Sequence, residues 1–259
     1  MLIAAFGKAN LKDAPFQHAE DLPMLEQLKQ VDNRRLYQQI ADQIRSLILD
    51  GNFPVGARLP PERDLAHQLG VSRPSVREAL IALEVEGSVE VRMGAGVYVC
   101  SPAETVVQAT VAMGESPTEL MQARSALEGV VVTLACARVT PETLAALRRA
   151  LDEMRSAIEH NRSPLGHDRE FHLVIAAMSG NSVLERLVRE LFDERHSPIS
   201  SQLRVRSESA ETWSKALHEH ETILRALESR DVLNAQTAMR AHLNASQNRW
   251  MESNRREWS

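Results

Sequence analysis

The sequence predicts a mainly α-helical protein, with an N-terminal winged helix-turn-helix followed by a C-terminal all-α helical bundle. Leu, Ala and Val dominate and only 4% of the residues are aromatic, which favours helices over a β-sandwich. The apolar residues recur at helical spacing almost throughout, and only the segment at 88–99 alternates with a period of two. The 259 residues are enough for two domains.

The first elements follow an N-terminal arm. Residues 1–33 mix charges, prolines and isolated apolar residues without a clear period, which predicts a mobile arm with a short helix at 23–30. A helical stripe then predicts the first helix, and the segment DGNFPVG ends it because Gly and Pro interrupt helices. The stripe consists of Leu36, Ile40, Ile44, Leu47 and Ile48.

A helix-turn-helix follows. PERDLAHQLG predicts a short helix that stops at Gly70, and VS makes the turn. Ser72 is a suitable N-cap for the next helix, predicted from about residue 73 to 86, and Pro74 is tolerated in its first turn. In SVEVRMGAGVYV, two alternating valine pairs flank a glycine-rich tip, which predicts a small hairpin, the wing.

Arginine in the first turn of the third helix indicates DNA binding. The helix macrodipole favours anions at this end, so Arg73 and Arg77 gain nothing from the helix itself. In a helix-turn-helix this end faces the major groove, where arginine contacts guanine edges or phosphates. Arg63 on the preceding helix is placed to reach the backbone, and Arg92 with the 93–96 tip to lie along or in the minor groove. The alternative is a solvated surface helix, which the complete helix-turn-helix-wing order disfavours.

The remainder of the chain predicts helices only. SPTE at 116–119 is a capping box that opens a helix running to about residue 138, and TPET opens another at 140. The further helices are expected near 165–179, 182–195, 210–229 and 232–251, giving a bundle of six or seven. No apolar run approaches ~18 residues and the start MLIAAF lacks a basic region, so we expect a cytoplasmic protein without a membrane span.

Four side chains predict a metal site within this bundle. Asp168 and His172 are four residues apart and share a helix face beside an apolar stripe, where a carboxylate is costly unless paired or bound to metal. His220 and His242 each occupy an apolar position of a later helix, whereas His218 should face away. A lone inward histidine is usually a hydrogen-bonded core residue, but three with an aspartate favour a divalent transition metal. Zn(II), Ni(II) or Mn(II) suits these ligands and can retain open coordination positions.

Residues 59–99, LPPERDLAHQLGVSRPSVREALIALEVEGSVEVRMGAGVYV, resemble the N-terminal domain of the GntR family of transcription regulators. The net charge of −5 means that DNA contacts come from a local patch rather than a generally basic protein. The resemblance implies binding to double-stranded operator DNA, with Gly94 in the wing. The other residues it implies in that contact are Arg63, Ser72, Arg73, Ser75 and Arg77.

Residues from about 35 to the last helix resemble the FadR subfamily of that family, whose effector domain is the FCD domain. The resemblance implies Asp168, His172, His220 and His242 as its metal set. It also implies that open metal positions take a ligand carboxylate, assisted by an arginine that QARSALEG matches at Arg124. The alternative for Arg124 is an i,i+4 salt bridge with Glu128. The motifs VREALIALEVEGSVEVRMGAGVYV and ELMQARSALEG are similar to hexuronate-responsive members, which implies a sugar-acid effector.

These inferences predict a homodimeric, ligand-responsive repressor of sugar-acid catabolism genes, released from a palindromic operator by a carboxylate effector. Residues 34–101 form the DNA-binding domain, 102–254 the helical metal- and effector-binding domain, and 255–259 a tail. We expect Zn(II) or Ni(II) as the metal. The alternatives are a metal-dependent hydrolase or lyase with an Asp/His3 site, and a DNA-architectural protein with a structural metal. The first would need a general base beside the metal, and the second would be insensitive to ligands.

Overall fold

The computed structural model describes residues 35–92, 94–101 and 113–253. These residues contain ten α-helices and one two-stranded sheet, so the mainly α-helical prediction is confirmed. The expected arm at 1–33, its short helix at 23–30, Met93 of the wing and the tail at 255–259 lie outside the described residues. The described residues from Arg35 onward belong to one compact unit.

The winged helix-turn-helix has the predicted element order. Its elements are α1 (Leu36–Leu49), α2 (Glu62–Leu69), α3 (Arg73–Val85), β1 (Val89–Arg92) and β2 (Gly96–Val99). The strands pair antiparallel, with Val89 opposite Val99 and Arg92 opposite Gly96. The hairpin thus packs its valines inward and carries its tip outward.

Local chemistry explains where the helix-turn-helix bends. Gly70 ends α2 with a φ of +66°, a left-handed conformation that glycine adopts without steric cost. Ser72 then caps α3, its hydroxyl accepting a hydrogen bond from the Ser75 amide at 3.3 Å. The predicted stop and cap are both present, and together they set the angle between α2 and α3.

The apolar stripe of α1 differs from the prediction. Ile40 and Ile44 are buried as expected, but Leu36 and Leu47 are exposed. Tyr37 and Ala41 are buried in their place, because the buried face of α1 is rotated toward α3, on which it packs. The Tyr37 hydroxyl donates a hydrogen bond to the carbonyl of Gly114 at 2.8 Å.

The second half is an all-helical bundle, as predicted. Its main core is built by α4, α5, α6, α9 and α10, whose inward faces carry leucines, valines and methionines. The helices are α4 (Pro117–Cys136), α5 (Pro141–Glu159), α6 (Leu165–Met178), α7 (Ser182–Asp193), α8 (Pro198–Ser207), α9 (Ala210–Glu228) and α10 (Val232–Ser253). Ser116 and Thr140 cap the first two of them through their hydroxyls. Within the described ranges, no helix has both the length and the apolar character needed to cross a membrane.

One helix of this half was missed by sequence reasoning. The helix expected at 182–195 ends in a short 3-10 helix (Glu194–His196), and α8 lies between that helix and the one expected from 210, where no helix is predicted. In α8, PISSQLRVRS, the apolar Ile199 and Leu203 are four residues apart and buried on one face, whereas Val205 is exposed. These two residues pack into the hydrophobic core of the winged region rather than into the bundle core. The helix is therefore stabilised by burial of these two residues against the winged region, which is distant in the sequence.

Polar contacts also join the winged region to the helical bundle. Glu78 on α3 accepts a hydrogen bond from the Ser116 hydroxyl at 2.8 Å and another from the Thr118 amide at 2.9 Å. Glu84, also on α3, forms an ion pair with Arg206 of α8. The recognition helix is thus held by the start of the bundle at one point and by α8 at another.

Candidate metal centre and DNA-binding surface

The four predicted metal ligands meet in the bundle. Asp168 and His172 extend from α6, His220 from α9 and His242 from α10, and all four side chains are buried. One ligand atom from each lies within 4.8 Å of every other. The positions that these residues occupy in their helices therefore converge on one point, although Asp168 and His242 are 74 residues apart in the chain.

The imidazole rings point their Nε2 atoms at that centre. Each Nδ1 lies against an acceptor outside the cluster, where it donates its proton. The pairs are His172 with Glu128, His220 with the Ala216 carbonyl at 2.7 Å, and His242 with Glu219 at 2.8 Å. Such outward hydrogen bonds fix the tautomer and the ring orientation of metal-ligating histidines.

The spacing of the inward atoms suits a cation. The Nε2 atoms of His172 and His220 are 3.2 Å apart, and Asp168 Oδ1 lies 3.1 Å from His220 Nε2. Because His172 and His220 each carry their proton on Nδ1, their two Nε2 atoms direct lone pairs toward each other with no proton between them. Donor atoms around one tetrahedral Zn(II) with bonds of 2.0–2.1 Å are about 3.3 Å apart. The donor set fits a divalent transition metal.

Burial keeps the ligands in the protonation state that a metal needs. Burial, together with the neighbouring His220, lowers the pKa of His242 to about 3, and the hydrogen bond to Glu219 offsets only part of this. Burial also lowers the pKa of His172, against the opposing charge of Glu128. For Asp168, burial raises the pKa, but the close approach of His220 and the charge of Arg195 outweigh it, and the pKa lies well below its usual value. The imidazoles of His172 and His242 are therefore neutral and Asp168 is a carboxylate at neutral pH, as metal binding requires.

Arg124 contacts the predicted metal ligand His172 indirectly, through Glu128. Its Nε donates to Glu128 Oε1 at 2.7 Å, so the i,i+4 salt bridge weighed above is present, and the other carboxylate oxygen of Glu128 accepts from His172. Burial raises the pKa of Glu128, but Arg124 and His172 outweigh it and lower that pKa to about 2. The Arg124 guanidinium lies 4.6 Å from the Phe192 ring centroid, and its Nη2 has no hydrogen-bond partner among the described residues.

Two groups around this cluster escaped sequence reasoning. Glu219 orients His242 and also accepts from Arg249 at 2.6 Å and 2.9 Å, although it precedes a ligand and looks like a solvated surface residue in the sequence. Arg195 is buried and donates from Nη1 to Asp168 Oδ2 at 2.9 Å. It is the last residue of the helix expected at 182–195 and lies in the 3-10 helix, and its burial depends on packing that helical spacing does not show.

Six of the seven predicted DNA-binding residues are exposed or partly exposed on the winged region. Arg73 is half exposed at the start of α3, and its Nε donates to Glu62 at 3.2 Å. The side chain of Arg92 on β1 is exposed and stacks 4.4 Å from the Tyr98 ring centroid. Gly94 adopts a φ of +69° in the hairpin tip. The remaining residues of the set are exposed or partly exposed: Arg63, Ser72 and Ser75.

Arg77 departs from the expectation that it faces DNA. Its side chain is only 3% exposed, and its Nε and Nη2 donate to the two oxygens of the buried Glu62, both at 3.0 Å. A guanidinium engaged in this way is not presented to a base edge. Arg77 instead fixes α2 against α3, and Glu62 in turn contacts Arg73. We therefore correct its role from DNA contact to positioning of the recognition helix.

Comparison with known proteins identifies the family. Residues 36–99 match the model of the bacterial regulatory proteins of the gntR family, and residues 119–245 match the FCD domain. The Uxu operon transcriptional regulator of Escherichia coli is 38% identical over 226 residues, covering 85% of this chain and 88% of that protein. The chain belongs to the GntR family. The Exu regulon transcriptional regulator of Escherichia coli is 36% identical over 217 residues, covering 81% and 82% respectively.

Among solved structures, the Streptococcus agalactiae GntR has a TM-score of 0.44 at 28% identity, covering 82% of this chain and 99% of that one.

As a GntR-family protein with an FCD domain, the chain is a DNA-binding transcription regulator and not an enzyme. The alternative of a metal-dependent hydrolase or lyase is therefore set aside. The buried Asp/His3 cluster belongs to the FCD domain, within residues 119–245.

Proposed function

We propose that the chain acts as a homodimeric repressor of hexuronate catabolism genes, released from a palindromic operator by a sugar acid bound at the metal centre. Residues 34–101 bind DNA in this proposal, and residues 102–254 bind metal and effector. The observation that carries it is the cluster of three inward Nε2 atoms and one carboxylate oxygen within 4.8 Å of one another. A regulator of this kind acts where the chromosome is, in the cytoplasm.

The metal is Zn(II) or Ni(II), held by Asp168, His172, His220 and His242. Nitrogen-rich sites with one carboxylate suit these borderline ions better than they suit Mg(II) or Ca(II). The bound ion supplies a Lewis acid with free coordination positions that a ligand carboxylate can occupy. Glu128 and Glu219 accept hydrogen bonds from the Nδ1 atoms of His172 and His242 and so fix the orientation of these two rings. The site is therefore rigid before the effector binds.

The effector is a hexuronate. The relatives named Uxu operon and Exu regulon regulators support this class, together with the resemblance to hexuronate-responsive members. Arg124 supplies a buried guanidinium with a free N–H donor, which pairs with a carboxylate more strongly than with a neutral sugar. A ligand that weakens DNA binding must, by linkage, bind the DNA-free dimer more tightly than the DNA-bound one.

DNA recognition rests on the exposed face of the winged region. Arg73, with Ser72 and Ser75 beside it, enters the major groove, while Arg63 contacts the backbone and the tip with Arg92 and Gly94 follows the minor groove. A two-fold dimer presents two such helices, which matches a palindromic operator. Because the net charge is −5, this local cationic face carries the electrostatic attraction to DNA.

The test is operator release measured by fluorescence anisotropy on a labelled operator fragment. A panel of hexuronates, their keto isomers and the matching neutral hexoses is titrated into the complex, with metal-loaded and chelator-treated protein. We expect release by a hexuronate or its keto isomer only with metal present. Equal responses to acid and neutral sugar, or full release from the chelated protein, would refute the metal centre as the sensor.

A further inference from the structure

We propose that the outer face of α4 is a dimer contact, which a second copy of this chain covers with its own α4 in antiparallel orientation about a two-fold axis. The proposal rests on the proposed function, which includes a homodimer, and it names the surface through which the two helical domains meet. A two-fold contact uses the same patch on both subunits, so the patch must be complementary to itself.

The outer face of α4 is apolar although it faces solvent. Val130 is 53% exposed and Leu134 is 37% exposed. The other exposed apolar residues of this face are Ala123, Ala126 and Ala137, and its polar members are one glutamine and one threonine. The solvent side of a surface helix normally carries charged and polar side chains, whereas a continuous apolar face indicates a contact with another protein surface.

Two more exposed apolar side chains border this face. Leu233 of α10 is 72% exposed and lies two turns before Arg240, whose Cγ would be 2.8 Å from a Cβ at Gly129 of α4. Val183, 54% exposed, is in the first turn of α7, which also packs on α4. α4 alone offers a strip about 30 Å long and about 10 Å wide, which is less than the ~800 Å² per partner of a standard interface. The apolar residues on α7 and α10 extend the strip toward that area.

The exposed charges of α4 stand only at the two ends of this face. Glu119 is exposed in the first turn, and Arg138 is exposed just beyond the last turn. Neither forms an ion pair with another described residue. The charged residues of α4 that lie between them in the sequence, Arg124 and Glu128, are both buried. One end of the face is therefore negative and the other is positive.

This charge pattern is complementary to itself only in an antiparallel pair. The register that sets Glu119 against Arg138 of the partner subunit also sets Ala123 against Leu134 of the partner subunit. Ala126 then lies beside Val130 of the partner subunit, so small side chains meet large ones and the two helices can interdigitate. A parallel pair would bring together two Glu119 carboxylates and two helix N-termini, whose like charges repel. The charges therefore favour a second copy of this chain as the occupant.

The first test measures the dimer dissociation constant of the full-length protein by sedimentation equilibrium. Val130→Glu places an unpaired carboxylate in the contact twice, so we expect a dimer weaker by at least about a hundredfold. Val205→Glu is the matched control, because Val205 is 80% exposed on α8, outside the α4 face, and its dissociation constant should equal that of the wild type. Since both valines are exposed in the protomer, both variants should retain the wild-type circular dichroism spectrum.

The second test reverses charges to determine the orientation of the two helices. Glu119→Arg and Arg138→Glu should each weaken the dimer by about three- to thirtyfold, because the ion pair occurs twice in a two-fold dimer. The double variant Glu119→Arg/Arg138→Glu should recover to within about threefold of the wild type. Within one protomer the two residues are about 28 Å apart along the helix, so this recovery reports a contact between protomers.

The outcomes separate this inference from the proposed function. A wild-type chain that remains monomeric at micromolar concentrations would overturn the homodimer of the proposed function, and this inference with it. A wild-type dimer that Val130→Glu leaves unchanged would overturn this inference alone. A tighter dimer in Glu119→Arg, or no recovery in the double variant, would refute the antiparallel pairing of the two α4 helices.

Discussion

Replacing Arg77 by methionine should destabilise the winged region, because the buried Arg77–Glu62 pair holds α2 on α3. The change retains an apolar stem but leaves the Glu62 carboxylate, which is 2% exposed, without its two bonds of 3.0 Å. Breaking one side of a buried pair costs ~3–5 kcal/mol. Arg73 still contacts Glu62, so we expect the lower end, about 3 kcal/mol.

That loss should be visible in thermal unfolding followed by circular dichroism. For a protein of this size, 1 kcal/mol shifts Tm by about 2–4 °C, so Arg77→Met should lower the Tm of the winged region by about 6–12 °C. The double variant Glu62→Gln/Arg77→Met removes the orphaned charge and should recover part of the loss. If Arg77→Met kept the wild-type Tm and lost only operator binding, Arg77 would be a DNA-contacting residue after all and our correction would be wrong.

Three further predictions concern DNA, metal and pH. Arg73→Ala should cost ~1–3 kcal/mol of operator affinity by fluorescence anisotropy, with wild-type unfolding of the helical domain; unchanged affinity would contradict its assignment. His220→Ala should lose the single equivalent of metal in elemental analysis, whereas the exposed His218→Ala should retain it. Burial raises the pKa of Glu78 despite hydrogen bonds from Thr118 and Ser116, so the folded state binds more protons than the unfolded state. The contribution of Glu78 to stability should therefore fall as pH rises from about 4.5 through the raised pKa. Glu78→Gln should remove this contribution from the pH dependence measured in urea titrations, and an unchanged pH dependence in the variant would show that Glu78 makes none.

The metal centre and the helix-turn-helix could be predicted from the sequence because short windows encode them. The i,i+4 spacing of Asp168 and His172, and the apolar slots of His220 and His242, follow from helix geometry alone. Capping by Ser72 and the left-handed Gly70 are likewise local, since each depends on backbone groups within a few residues. The convergence of the four ligands on one point remained a hypothesis until the helices were packed.

By itself, the sequence determined the hairpin and all the helices except α8, the family, and the four side chains that face the bundle core. Only the tertiary structure decided that Arg77 pairs with Glu62, that α8 packs on the winged region and that Arg195 reaches Asp168. These outcomes depend on burial, and burial is set by surfaces that come from segments far apart in the chain. A guanidinium at the start of a helix has the same local pattern whether it faces DNA or a buried carboxylate, and only the packing around it distinguishes the two.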